Sequence, residues 1–138
     1  MVVAALGYFG VPYGADAINI AFGAKGVEGC RVLRVIDGDT VTLCCPEIGV
    51  ERARLTGFDA PELSSPQCAS EYAQAVAATW YLRRLLAGGQ VLTVQHGQMD
   101  RYARRLATLS IDGVPVARSM IAAGHGRPYG GAQRRGWC

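Results

Sequence analysis

The sequence has 138 residues, of which 50% are hydrophobic and 18% are charged, and it contains 18 glycines. That length suits one domain with its own hydrophobic core, and that composition excludes a disordered chain. The formal net charge is only +3, but residues 37–71 hold seven acidic residues against two arginines, and residues 101–138 hold seven arginines against one aspartate. A fold that joins these portions can hold a cation and an anion side by side.

The first 23 residues are apolar apart from Asp16. Val2–Tyr13 has the length of a signal-peptide core, but it lacks a basic start, and Pro12 interrupts it short of the roughly 20 apolar residues of a membrane span. We therefore expect residues 1–29 to be an export-signal-like or anchoring segment and 30–138 to be the folded domain. The protein is expected to be exported (periplasmic, secreted or envelope-associated), with membrane attachment through the first segment as an open alternative. The five cysteines agree with an oxidising compartment.

Two β-rich runs flank Asp37-Gly38, a dipeptide preferred in hairpin turns. In a hairpin centred on this dipeptide, Cys30 lies opposite Cys45. We therefore predict a hairpin and a cross-strand disulfide between the two cysteines. Asp39 then lies at the start of the second strand.

A third strand is predicted from Val50 to Phe58, and it leads into a corner. Pro61 cannot donate a ladder hydrogen bond and disfavours helix at the residue before it, so the strand must end near Asp59. Asp59 and Glu62 then lie on a constrained turn, where side chains can be directed at a ligand. Taken alone, two carboxylates at this spacing are more often a solvated strand end.

An alanine- and leucine-rich stretch predicts one long helix, with Tyr72, Val76, Trp80 and Leu82 in the core. Gly88-Gly89 ends this helix. Five strands interrupted by a long helix and followed by a shorter one indicate a small α+β barrel, a frequent host for oligonucleotides. The predicted later elements are the long helix over 69–87, strands over 91–96 and 104–111, and a short helix over 116–123.

Charged residues at three places in the sequence could together cleave a phosphodiester, which requires a hard cation, an activated water and positive charge beside the phosphate oxygens. The carboxylates of Asp39 and Asp59 suit Ca²⁺ or Mg²⁺. Glu62 could orient or deprotonate the water, while Arg54 and Arg104 stabilise the charge that develops on phosphorus. This grouping assumes that the fold brings these residues together.

Three segments, Val35–Val41, Arg54–Glu62 and Asp100–Arg104, resemble in order and spacing the motifs of the staphylococcal nuclease (thermonuclease) family. The resemblance implies a five-stranded OB-fold barrel, with one long helix between its third and fourth strands and a shorter helix after its fifth. It also implies Ca²⁺-dependent, largely sequence-nonspecific endonuclease action on DNA and RNA. Ca²⁺ is expected ahead of Mg²⁺, single-stranded or frayed nucleic acid is the favoured partner, and no obligate protein partner is expected.

Carried over position by position, the resemblance assigns three roles: metal binding, catalysis and contact with the nucleotide. Tyr129 falls one position from the stacking tyrosine of the family. The matching residues are Asp39, Asp59 and the backbone carbonyl of Ala60 for the metal; Glu62 for the water and Arg54 and Arg104 for the phosphate; and Arg101, Tyr102 and Tyr129 for the nucleotide.

The sequence departs from the family pattern in two places. Ala103 replaces the usual glycine before Arg104, which leaves that loop less conformational freedom. The chain also ends where the family continues into a third helix, so we expect that helix to be absent and Cys138 to be joined to Cys68, with Cys44 unpaired. The rival function is a catalytically silent OB-fold module that binds nucleic acid or a protein partner.

Overall fold

The computed structural model describes residues 28–46, 48–88, 91–130 and 135–138. Almost all of the predicted N-terminal segment, 1–29, lies outside these residues. The described chain forms a larger mixed sheet, a small second sheet and two helices. The strands are β1 (Arg31–Asp37), β2 (Thr40–Cys45), β3 (Gly49–Leu55), β4 (Gly57–Asp59), β5 (Leu92–Met99), β6 (Arg105–Ile111), β7 (Val114–Pro115) and β8 (Arg127–Tyr129), and the helices are α1 (Ala69–Gly88) and α2 (Val116–Ala122).

The larger sheet has the strand order β1-β2-β3-β6-β5, and β7 pairs with β6. Strands β3 and β6 are parallel, while the other neighbours in the sheet are antiparallel. β4 and β8 form a separate antiparallel pair, in which Asp59 lies opposite Arg127. The predicted α+β fold, with its long helix and later short helix, is confirmed. Within the described ranges, no strand pairing closes the sheet into a barrel.

The predicted hairpin is formed by β1 and β2, but its turn lies one residue later than expected. Asp37 pairs with Thr40, which makes Gly38-Asp39 the turn. The centre predicted at Asp37-Gly38 was wrong because β1 contains two bulges, each of which adds one residue to that strand. The bulges lie between the turn and the far end of the hairpin, so the far end keeps the predicted register.

Two disulfides are present, and both agree with the predictions. Cys30 is bonded to Cys45 across the end of the hairpin. Cys68, immediately before α1, is bonded to Cys138, with 6.1 Å between their Cα atoms. Cys44 is the free cysteine. Residues 135–138 are irregular, while 131–134 lie outside the described residues, so the absence of a third helix stays a prediction.

Helix α1 buries small residues rather than its largest aromatic side chains. Leu82 is fully buried, as predicted, but Tyr72 and Trp80 are 51% and 57% exposed, so their assignment to the core was wrong. The reason is helical spacing: a stripe repeating every three or four residues faces the sheet, and both aromatic residues lie outside it. That stripe consists of Glu71, Ala75, Ala78, Thr79 and Leu82. In the part of the chain that the structure describes, no helix is long and apolar enough to span a membrane.

The hydrophobic core lies between the larger sheet and the two helices, with Phe58 and Leu55 among its largest fully buried side chains. Helix α1 approaches the hairpin turn closely. A Cβ atom added at Gly38 would lie 2.9 Å from the Cβ of Ala78, so the turn can pack on the helix only with glycine at this position. This contact fixes where the next residue, Asp39, lies.

Candidate active site

Arg54 lies between two buried carboxylates. Strand β3 places it opposite Thr40, so it lies next to the hairpin turn that carries Asp39. Its Nη1 is 3.2 Å from Oδ2 of Asp39, and its Nη2 is 3.6 Å from Oδ1 of Asp59. Nη1 also donates to the carbonyl oxygen of Leu55 at 2.8 Å. The structure thus brings together three of the predicted site residues, from β3, β4 and the hairpin.

The two carboxylates of this cluster are almost completely removed from water. Asp39 is 6% and Asp59 is 3% exposed. Burial raises the pKa of Asp39 from 3.8 to about 7, because an ionised carboxylate loses its hydration there; Arg54 opposes the rise, and the neighbouring Asp37 adds to it. The two buried carboxylates share one guanidinium. When both are ionised the cluster therefore has a net negative charge, which favours the binding of a further cation.

The three predicted metal ligands lie close together, and the atoms proposed to bind the metal are oxygens. Ala60, the third predicted metal ligand, donates its backbone N–H to Oδ2 of Asp39 at 3.3 Å, which places it beside that carboxylate. Carboxylate and carbonyl oxygens are the ligands that Ca²⁺ and Mg²⁺ prefer. The hairpin turn provides Asp39, and the end of β4 provides Asp59, with Ala60 directly after it.

Glu62 lies just beyond this cluster, after the buried Pro61. Its backbone N–H donates to Oε2 of Glu71 at 2.9 Å, and the N–H of Gln67 donates to Oε1 of the same residue at 2.8 Å. Glu71 is 4% exposed, so a buried carboxylate in the first turn of α1 holds the segment that carries Glu62. Sequence reasoning gave Glu71 no role. The signal was its place three residues after Cys68, where helix-capping glutamates are common.

A second loop holds Arg104. Oδ1 of Asp100 accepts the backbone N–H groups of Tyr102 at 2.8 Å and of Arg104 at 2.9 Å, and its Oδ2 accepts Nε of Arg104 at 2.9 Å. Although burial acts to raise it, these hydrogen bonds and the arginine charge lower the pKa of Asp100 below 3.8. Ala103 has a φ of 62°, in the left-handed region that its glycine counterpart would adopt freely. The loop therefore keeps the turn despite the alanine, and Asp100, which had no predicted role, aims Arg104.

A groove of about 620 Å³ joins this loop to Arg54. The Cζ of Arg54 lies 5.9 Å from the centre of the Tyr129 ring, and the Cζ of Arg104 lies 5.3 Å from that of Tyr102. Asp39, Asp59, Ala60 and Glu62 do not line the groove, and Arg54 connects it to them. The predicted residues that line it are Arg54, Arg101, Tyr102, Arg104 and Tyr129.

The C-terminal residues also reach the site. Trp137 donates its indole Nε1–H to Oδ2 of Asp59 at 3.2 Å. Trp137 was not among the predicted site residues. The predicted Cys68–Cys138 bond placed this tail near the start of α1, but it did not identify Asp59 as the partner of Trp137, since the two residues are 78 positions apart.

Comparison with known proteins gives the family. The protein family described as "Staphylococcal nuclease homologue" matches residues 52–135, more than half of the chain. Two proteins named "Uncharacterized endonuclease", from Escherichia coli and from its O157:H7 strain, are each 37% identical over 95 residues, or 68% of this chain and 56% of theirs. "Endonuclease YhcR" of Bacillus subtilis (strain 168) is 31% identical over 113 residues, or 77% of this chain and 9% of that protein.

The chain thus spans little more than half the length of the Escherichia coli relatives. With a match over most of its described domain, the chain belongs to the staphylococcal nuclease homologue family.

Proposed function

We propose that the protein is a Ca²⁺-dependent endonuclease that hydrolyses phosphodiester bonds of DNA and RNA, largely without sequence specificity. One observation carries the proposal: Arg54 bridges the buried carboxylates of Asp39 and Asp59 at 3.2 and 3.6 Å, and also lines a groove rich in arginine and tyrosine. The relatives are named as endonucleases, which supports phosphodiester hydrolysis as the reaction.

The metal would be held by the carboxylates of Asp39 and Asp59 and the backbone carbonyl of Ala60. When bound, Ca²⁺ supplies positive charge that polarises a phosphate oxygen and acidifies water. The remaining chemistry belongs to the chain. Glu62 accepts a proton from the attacking water, whose oxygen forms the new bond to phosphorus as the bond to the leaving oxygen breaks. Arg54 and Arg104 stabilise the negative charge on the phosphate oxygens, and the leaving oxygen takes up a proton from solvent.

The groove suits a single strand or a frayed end better than a closed duplex. Tyr102 is 58% exposed, and Tyr129 also lines the groove, with its ring near Arg54. Aromatic rings at such positions can stack on bases that have left a duplex, which is a sequence-tolerant contact. Arg101 adds a positive charge for the backbone, so binding should weaken steeply as salt rises.

We also propose that the protein works in an oxidising compartment, as an exported enzyme. The two disulfides, Cys30–Cys45 and Cys68–Cys138, support this proposal. Attachment to a membrane through residues 1–29 stays a prediction, since almost all of these residues lie outside the described chain.

The test is a cleavage assay of the purified protein on single-stranded DNA, duplex DNA and RNA, each with Ca²⁺, Mg²⁺ or chelator. The expected result is cleavage of all three with Ca²⁺, fastest on single strands, weaker with Mg²⁺ and absent with chelator. Cleavage that survives chelator would refute the metal requirement. Salt-sensitive binding of the same substrates without cleavage under any condition would instead favour the catalytically silent module.

A further inference from the structure

Three contacts from two elements hold the C-terminal residues in place beside Asp59. The carbonyl oxygen of Trp137 accepts a hydrogen bond from Nε2 of Gln74, on α1, at 3.0 Å. The carbonyl oxygen of Gly136 accepts a hydrogen bond from Nη1 of Arg127, on β8, at 2.7 Å. The same guanidinium lies over the Trp137 ring, with its Cζ 3.7 Å from the ring centre. The irregular tail therefore has a defined position, provided by a helix and a strand.

A covalent bond closes the arrangement. Cys138, directly after Trp137, is bonded to Cys68 at the start of α1. Since residues 136–138 belong to no helix or strand, the disulfide and the contacts above decide where the indole lies. A disulfide that closes a loop of this length also restricts the conformations open to the unfolded chain.

The contact between Trp137 and Asp59 is chemically specific. An indole N–H can only donate, and burying it without an acceptor costs free energy. Trp137 is 8% exposed, and its acceptor is Oδ2 of Asp59 at 3.2 Å. The other oxygen, Oδ1, lies 3.6 Å from Nη2 of Arg54. The indole thereby fixes the rotation of the carboxylate and determines which oxygen faces the Arg54 side of the site.

We propose that residues 136–138 form a C-terminal clamp that positions Asp59: Trp137 orients the carboxylate through Nε1, and the Cys68–Cys138 disulfide holds Trp137 in place. The proposal rests on the proposed function in one respect, because it takes Asp59 as a ligand of the metal. Trp137 is a positioning residue, since it acts through Asp59. Partners of metal ligands typically change metal affinity by about 10–100-fold when they are replaced.

The test measures metal binding directly. Ca²⁺ affinity is determined by calorimetry for the wild type, Trp137→Phe and Trp80→Phe, and Tb³⁺ is used as a luminescent substitute excited through tryptophan. Trp137→Phe keeps an aromatic ring but loses the N–H donor, so it should bind Ca²⁺ about 10–100-fold more weakly. It should also lose the tryptophan-excited Tb³⁺ emission. Trp80→Phe, the matched control on the exposed face of α1, should keep both the affinity and the emission.

A second variant tests the covalent part of the clamp. The double variant Cys68→Ser/Cys138→Ser keeps Trp137 but releases the tail, so it too should bind Ca²⁺ more weakly than the wild type. Unfolding curves and near-ultraviolet circular dichroism show which variants are folded. If Trp137→Phe does not fold, the double variant and Gln74→Ala decide the matter by the same affinity measurement. Gln74→Ala removes the hydrogen bond to the Trp137 carbonyl together with two exposed hydrogen bonds to Ser70 within α1.

The outcomes separate the clamp from the proposed function. Wild-type Ca²⁺ affinity in folded Trp137→Phe, or in the folded double variant, would overturn the clamp whether or not the protein is a nuclease. A wild type that binds no Ca²⁺ or Tb³⁺ would overturn it as well. Affinity that depends on Trp137 in a protein that cleaves no nucleic acid would refute the nuclease and retain the clamp. In an active enzyme, raising Ca²⁺ should restore the kcat of Trp137→Phe, which a general loss of structure would not allow.

Discussion

Glu71 accepts the backbone N–H of Glu62 on its Oε2 at 2.9 Å, while its Oε1 accepts a second backbone N–H at 2.8 Å. A buried carboxylate of α1 thus determines where the proposed water-activating residue lies. This contact links the stability of the corner to its chemistry, because loosening the segment would also misplace Glu62.

Glu71→Gln should therefore impair both folding and activity. One backbone N–H would face an amide NH₂ instead of a carboxylate oxygen, and such a loss costs about 1–3 kcal/mol of unfolding free energy. Misplacing Glu62 should lower kcat by up to about 100-fold. Denaturant unfolding and cleavage kinetics measure the two effects. Ser70→Ala, at an exposed neighbour in the same helical turn, is the control, and equal effects in both variants would contradict the role given to Glu71.

Ala103→Gly should stabilise the protein. Ala103 has a φ of 62°, a conformation that disfavours residues with a Cβ, so glycine should raise the unfolding free energy by about 0.5–1 kcal/mol. Ala77→Gly, on the exposed face of α1, should have the opposite effect and lower it by about 1 kcal/mol. Thermal or denaturant unfolding gives both signs, and a loss of stability in both variants would contradict the strained backbone at Ala103.

The metal-free protein should lose stability as the pH rises through neutrality. The pKa of Asp39 is raised from 3.8 to about 7 in the folded chain, so between these values the folded state retains a proton that the unfolded state has released. This contribution is complete below the unfolded pKa and is lost as the pH rises through the folded one. Denaturant unfolding in chelator at about pH 5 and about pH 8 should show the loss in the wild type and a smaller one in Asp39→Asn. Identical pH dependence in the two proteins would argue against a protonated Asp39.

Thiol titration in denaturant without reductant should find one reactive thiol per chain. The expected thiol is Cys44, since the other four cysteines form the bonds Cys30–Cys45 and Cys68–Cys138. After reduction, the count should rise to five, the number of cysteines in the sequence. Three or more thiols before reduction would mean that one of the two disulfides does not form in the purified protein.

The sequence predicted best those features that depend on neighbouring residues. The hairpin and the Cys30–Cys45 bond followed from one turn dipeptide and the pairing of two adjacent strands, and the bulges moved only the turn. Trp80 was assigned wrongly because alanines, which contribute little to a hydrophobic pattern, occupy much of the buried stripe of α1. Large size was therefore a poor guide to burial in this helix.

Contacts between distant parts of the chain were the least predictable. The meeting of Arg54 with Asp39 depends on the register of β2 against β3, which the family resemblance implied and the residue pattern alone did not. The contact of Trp137 with Asp59 depends on a disulfide and an irregular tail, neither of which has a periodic signal. Such contacts are fixed by tertiary packing, so they could be found only in the folded chain.

The most direct test of the central claim is the single-turnover cleavage rate of Glu62→Gln beside the wild type, on single-stranded DNA at saturating Ca²⁺, with DNA binding measured for both. Arg118→Lys, on the exposed face of α2, serves as the control. The account predicts that Glu62→Gln still binds DNA but cleaves it about 10²–10⁴-fold more slowly, because it loses the group that takes the proton from water, while the control cleaves normally. A Glu62→Gln protein that cleaves at the wild-type rate would contradict it.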